Sequence, residues 1–318
     1  MREKRILGYT LRNFLHTVLL FIGMLLILGT LAYIFGGWRA ALWGVIGSIP
    51  LLLFSQQMSP QLMLRMYGAK PVAPSGAPNI YRILEDMADR AELPRTPRLY
   101  YIPSRMMNAF SVGRRDDAAI AVTDGMLRNL NRRELIGVLA HEIAHIRDGD
   151  MRVMAFADVI SRITGLLSSL GQVLLILNLP LLLMGMPPIS WFAVLLLMAA
   201  PTLTGLLQLA LSRTRELQAD ISAARLSGDP EGLASALAKM ERQEAGLLRR
   251  VLLPGYRVPD PSLFRTHPET EERIQRLLEL RDLPHERVTL EDVRADELPA
   301  DLPEPRTHPR WHITGLWH

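Results

Sequence analysis

Residues 141–145 read His141-Glu142-Ile143-Ala144-His145, and they set the terms for the rest of the chain. On an α-helix, residues four apart lie on one face about one turn, or ~6 Å, from each other. Two imidazoles so placed can share one Zn²⁺ at ~2.0–2.1 Å each. Glu142 sits roughly 100° round the same helix, able to reach a water at the ion without being a ligand. The flanking Leu135, Ile136, Val138, Leu139, Ile143 and Ile146 are apolar, so this helix is expected to be buried, and a buried His-Glu-His cluster needs partners. Asn131 and Glu134 form a capping-box pattern that starts a helix at the right place. The chain has 8 histidines, and two of them fall at ligand spacing here. Chance also produces such a pair as solvated histidines on a surface helix, but the apolar flanks and the cap favour a hydrolytic metal site with Glu142 as its base.

The 318 residues include no cysteine, which rules out disulfides and thiolate ligands. With 36 Lys and Arg against 32 Asp and Glu, the excess charge of +4 is small and scattered, and no nucleic-acid reader emerges from it. Apolar runs at 14–35, 163–184 and 189–211 are long enough to span a ~30 Å hydrocarbon core as helices. The run at 40–54 is shorter, with Trp38 and Trp43 placed to extend it at an interface. These runs predict two transmembrane hairpins, the second turning at Gly185-Met186-Pro187-Pro188; a hairpin lying in the membrane surface is the alternative for that pair. Arg2, Lys4 and Arg5 precede the first run, but the run is too long for a secretion signal and no small-residue cleavage site follows, so it reads as a retained anchor. Basic residues Arg2, Lys4, Arg5 and Arg12, Arg65 and Lys70, Arg147, Arg152 and Arg162, and Arg213 and Arg215 all flank one side of four crossings, whereas the first loop holds only Arg39. That bias puts both termini and the His-Glu-His helix in the cytoplasm.

The expected organisation is an N-terminal hairpin at 1–58, the first part of a catalytic domain at 71–152, a second hairpin at 153–211, the rest of the catalytic domain at 212–282, and a tail at 283–318. Within it, 79–93 is an amphipathic helix, and Arg98–Ile102, 107–112 and 118–122 are short strands. Residues 212–226 are expected to be helical, Asp229 and Pro230 start another helix running to about Ala245, and a last helix begins near Pro268. The Pro-, Asp- and Glu-rich tail is expected to be weakly ordered, with His308, His312 and His318 solvated.

A catalytic zinc needs three protein ligands and an open position. Any remaining acidic or imidazole side chain is eligible as the third. The best placed is Glu216 in Ser212-Arg213-Thr214-Arg215-Glu216-Leu217-Gln218-Ala219-Asp220, because the second hairpin would return it to the face of His141 and His145. Asp220, one turn on, can accept a proton from a ligating imidazole. Without the ligand helix, the two would read as an exposed acidic pair beside snorkelling arginines.

With these segments on the page, the chain closely resembles the HtpX family of membrane zinc metallopeptidases. The likeness rests on HEIAH, a membrane hairpin, SRTRELQAD, Phe264-Arg265-Thr266-His267-Pro268 with Arg273, and the earlier Leu64-Arg65-Met66-Tyr67-Gly68-Ala69 and Met107-Asn108-Ala109-Phe110, over about residues 55 to 282. The resemblance implies one Zn²⁺ per chain held by His141, His145 and Glu216, Glu142 as general base, Asp220 in support of a ligand, and His267 stabilising the oxyanion with Arg273 nearby. It implies that Asn108, Ala109 and Phe110 belong to an edge strand along which a peptide lies extended. It also implies damaged or misassembled membrane proteins as substrates, in cell-envelope quality control at the bacterial inner membrane. Arg265 and Glu269 depart from the small residue and second proline common around this His-Pro, and the tail has no counterpart in the family. The expected fold is therefore mainly α with a small β-sheet: a zincin-like metallopeptidase domain fused to two transmembrane helical hairpins.

Two other kinds of function compete. An intramembrane or prenyl-protein protease shares the ligand logic, but Arg132, Arg133, Arg147, Asp148 and Asp150 bracket the motif with charge, and four spans are few for a membrane chamber. A membrane scaffold or receptor with a structural zinc has no use for a base such as Glu142 beside an open position.

Overall fold

Long apolar runs and strong helix formers dominate the sequence, and the computed structural model is accordingly mainly α with one small sheet. It describes residues 2–55, 60–185, 190–251 and 270–281. Helices α1 (Arg2–Ser55), α2 (Pro60–Met66), α3 (Pro78–Arg90), α4 (Asp124–Asn129), α5 (Arg132–Asp148), α6 (Asp150–Leu183), α7 (Trp191–Ser227), α8 (Pro230–Val251) and α9 (Thr270–Glu279) accompany strands β1 (Lys70–Pro71), β2 (Arg98–Ile102), β3 (Ala109–Arg114) and β4 (Asp117–Thr123). The chain divides into two compact units, Met1–Gln57 with Arg152–Arg215, and Met58–Met151 with Glu216–His318. His267 and the tail from 283 lie outside the described residues, as does most of the turn after Gly185.

The first unit is a helical bundle. Gly36 and Gly37 leave helical geometry, Gly37 at φ 66°, and α1 folds back on itself there. A Cβ added at Gly44 would lie 3.1 Å from that of Ala32, although the two positions would be ~18 Å apart on a straight helix. Among the described residues, three helices are long and apolar enough to cross a bilayer: Phe14–Ile34, Asp150–Leu183 and Trp191–Ser227. The run at 40–54, expected as a fourth crossing, is not among them. It is the return arm of α1 and falls short of a ~30 Å core. Phe21 stacks on Phe156 with centroids 5.1 Å apart, and Met24, Phe156, Ala157, Ile160 and Leu211 pack together. Within the apolar helices Thr164 bonds Thr204 at 2.9 Å and Ser161 donates to Gln208 at 2.7 Å, so these polar groups are satisfied internally.

In the second unit the sheet runs β1-β2-β4-β3, with β2 and β4 parallel and the other pairs antiparallel. Among the described residues strand β3 is therefore terminal; it joins β4 by a tight turn at Arg115-Asp116, and Gly113 within the strand has a φ of 100° that favours glycine. One face of the sheet, with Tyr100, Ile102, Phe110, Val112, Ala119 and Ala121, packs on Leu64 and Tyr67 around α2. The edge strand starts at Ala109, two residues later than the alternation suggests, because Asn108 bonds the side chain of Thr123 and the loop before it bends.

Helix α5 is fixed at both ends and along its side. The capping box is complete: Asn131 accepts from Glu134 N–H at 3.0 Å and Glu134 accepts from Asn131 N–H at 2.8 Å. Such a cap is worth ~1 kcal/mol. Glu134 also holds Ser235 and Lys239 of α8. Helix α8 lies so close that a Cβ at Gly137 would come 2.8 Å from the backbone of Leu233. Asp229 caps α8 through Gly232 N–H and is gripped twice by Arg133. Residues 212–226, expected as a separate helix, continue α7 without interruption, since no helix breaker lies between Leu211 and Ser212.

Candidate metal centre

Leu139, Ile143 and Ile146 are fully buried, which orients α5 and leaves His141 and His145 together on an adjoining face. Their rings meet edge to face with centroids 4.5 Å apart and Nε2 atoms 3.0 Å apart. Glu216, on α7, closes a triangle: Oε2 lies 3.4 Å from His141 Nε2, and Oε1 lies 3.7 Å from His145 Nε2. Among the described residues this is the group of His and acidic side chains that could hold a metal ion. A tetrahedral ion with bonds of ~2.05 Å has ligand–ligand edges of ~3.3 Å, and the three separations, the two to Glu216 reaching different oxygens, lie near that value.

The outer nitrogens explain why the inner ones are available. His145 Nδ1 lies 2.7 Å from Asp150 Oδ2, placing its proton on the outer side of the ring. His141 Nδ1 faces Asp220 Oδ1 at 3.1 Å, at an angle short of a full hydrogen bond. When both imidazoles are neutral with their protons on Nδ1, the Nε2 lone pairs face inward toward a carboxylate, an arrangement that a cation between them satisfies. Arg273 of α9 donates twice to Asp220, at 2.8 Å each, and its third nitrogen lies 3.2 Å from Glu216 Oε2. Asp150, Asp220, Glu216 and Glu142 are all buried, with Arg273 as the guanidinium among them, so neutral histidines leave an excess of negative charge suited to a divalent ion.

Burial alone would lower the pKa of His141, but Asp220 and Glu216 outweigh it and push it up to about 10. His145 is also raised: burial and the neighbouring His141 oppose the shift, while Asp150 and Glu216 drive it. Without metal, His141 therefore keeps its proton through neutral pH. Metal binding must displace that proton, and that of His145 wherever it too is charged, so apparent zinc affinity should rise by at least tenfold per pH unit up to about pH 10. A competition titration with a fluorescent chelator at several pH values reads this slope, and a flat profile would contradict it.

Asp150 went unrecognised as a functional residue in the sequence, where it counted only as flanking charge. It is the first residue of α6, and Gly149, left-handed at φ 70°, turns the chain so that the carboxylate meets His145. The local signal was a Gly-Asp pair just beyond a ligand helix. Asp150→Asn should weaken zinc binding by about 10–100-fold, measured by equilibrium dialysis, with little change in fold.

Of the other expected residues, Glu142 is buried on α5, and Arg273 and Asp220 lie beside the triangle. His267 falls outside the described residues. Ala109 and Phe110 are on the terminal strand, with Phe110 packed on Tyr67 at 5.0 Å between centroids; Asn108 precedes the strand.

A family model described as Peptidase family M48 matches residues 74–281. A protein named Protease HtpX homolog from Burkholderia ambifaria is 36% identical over 288 residues, covering 84% of this chain and 97% of that protein. One of the same name from Burkholderia multivorans is 36% identical over the same shares. Among solved structures, the crystal structure of S. mikatae Ste24p aligns with a TM-score of 0.46 and 22% identity, covering 79% of this chain and 62% of that one.

Proposed function

The chain belongs to peptidase family M48, as an HtpX-type membrane metallopeptidase, and on that premise we propose that it is a zinc-dependent endopeptidase acting from the cytoplasmic face on misfolded or damaged membrane proteins. The observation that carries this reading is the convergence of His141, His145 and Glu216 within reach of one ion. A zinc ion held there supplies Lewis acidity toward the scissile carbonyl and lowers the pKa of the attacking water.

Glu142 takes the proton from that water as it attacks and returns it to the leaving amine nitrogen. His267, one residue before Pro268, is the proposed donor to the developing oxyanion. Asp150 and Asp220 hold the two imidazoles in the tautomer that binds metal, and, against burial, Arg273 helps hold the Asp220 carboxyl below the usual carboxylate range while pairing with Glu216. The outer edge of β3, which has no strand partner among the described residues, offers main-chain partners to an extended peptide, which suits unfolded segments of varied sequence. The charge bias around the apolar runs supports a cytoplasmic catalytic domain in the bacterial inner membrane.

Vesicles of both orientations test orientation and chemistry together. Cytoplasmic-side-out membranes carrying the protein should cleave an added denatured membrane protein, lose that activity on chelation and regain it with zinc. Right-side-out vesicles should leave the same substrate intact. Cleavage in right-side-out vesicles alone would reverse the orientation, and none in either would favour the scaffold reading.

A further inference from the structure

Gln243 of α8 makes two hydrogen bonds to backbone groups ahead of β3. Its Oε1 accepts from Met107 N–H at 2.6 Å, and its Nε2 donates to Arg105 C=O at 3.0 Å. Both partners lie in the loop that leads into β3.

The direction of these bonds matters. Asn108 turns both its peptide groups toward β4: its N–H donates to Thr123 Oγ1 at 2.9 Å and its C=O accepts from Thr123 N–H at 3.0 Å. Successive residues of a strand present their peptide groups to opposite sides. The peptide groups of Met107 and Ala109 accordingly face away from β4, toward the side on which β3 has no strand neighbour among the described residues. Phe110 and Val112 pair inward with Ala121 and Ala119, so Ala109 and Ser111 continue the outward row. Gln243 thus occupies the first position of the row along which an extended peptide would pair.

The loop cannot swing aside easily. Gly125 N–H donates to Ser104 C=O at 2.8 Å, and a Cβ at Gly125 would fall 2.1 Å from Arg105 C=O, so α4 presses on the loop from behind. Met107 itself is buried.

We propose that Gln243 is a specificity-determining residue that caps the substrate-pairing edge at Met107. Its carboxamide stands in for a peptide group, so a bound strand pairs with Ala109 and Ser111 and gains nothing by extending past Ala109. This rests on the peptidase reading above and assigns one limit of its substrate groove.

The test uses full-length protein in lipid nanodiscs and a nested series of unstructured peptides lengthened at one terminus or the other. In the unaltered enzyme, KM stops falling once extension at one terminus passes the position paired with Ala109. In Gln243→Ala the freed Met107 N–H donates to a further main-chain carbonyl of the peptide, and KM for the extended peptide falls about fivefold relative to the shorter one, the worth of one hydrogen bond. Gln243→Ser provides the same comparison if the alanine variant folds poorly, with zinc content as the check on folding. Amide exchange gives a readout independent of turnover: Met107 exchanges slowly in the unaltered protein, quickly in the variant, and slowly again when the extended peptide is added. Identical length dependence in enzyme and variants, including a uniform change in KM, overturns the proposal and leaves the peptidase reading intact. Absence of cleavage by the unaltered enzyme overturns both.

Discussion

Glu142→Gln is expected to reduce cleavage of a denatured membrane protein by about a thousandfold while zinc stays bound. The side chain is buried on α5, one residue after His141, and it lies outside the His141, His145 and Glu216 triangle. Glutamine keeps its size but cannot accept the proton of the attacking water, and loss of a general base typically costs 10²–10⁴-fold. Paired measurements of zinc by atomic absorption and of turnover separate the roles. Full zinc with collapsed turnover identifies the base. Lost zinc would make Glu142 a structural support of the metal centre, and unchanged turnover would remove it from the chemistry.

Arg273→Ala should produce the largest loss of stability. The guanidinium is almost wholly buried, with side-chain exposure of 5%, and it faces Asp220 and Glu216 at 2.8 and 3.2 Å. Burial would lower its pKa, but Asp220, Glu216 and Glu142 more than compensate and hold it above its ordinary value. Removing one partner of such a buried group leaves charge uncompensated and costs about 3–5 kcal/mol. The loss should be greater for the metal-free protein, because a dication at Glu216 replaces part of the missing positive charge. Thermal melts with zinc and with chelator read the difference. Equal losses in both states would show that Arg273 acts through packing instead of charge.

Much of this centre was legible along the chain because its signals are local. The spacing of His141 and His145, the Asn131–Glu134 capping box and the apolar flanks of α5 are properties of one short segment, and helix geometry converts them directly into positions. Glu216 was harder, since its approach depends on how far the chain travels and returns between residues 145 and 216. The register of helical turns across that distance is set by tertiary packing, as where Gly171 meets Leu197. Asp150 was missed because its role depends on the left-handed turn at Gly149, which periodicity does not register. The start of β3 was displaced for a similar reason: a side-chain hydroxyl, Thr123 Oγ1, replaces the ladder partner that alternation anticipates at Asn108.

The order of the proposed ligands along the chain, two on α5 and one on α7, has a consequence for biosynthesis. His141 and His145 emerge from the ribosome well before Glu216 and Asp220, and the apolar lengths of α6 and α7 lie between them. A nascent chain that has made only α5 possesses two imidazoles without their third ligand, and so no complete hydrolytic centre. On the proposed reading, the peptidase would stay latent during synthesis and become competent only after α7 has been made, which would spare newly made neighbours.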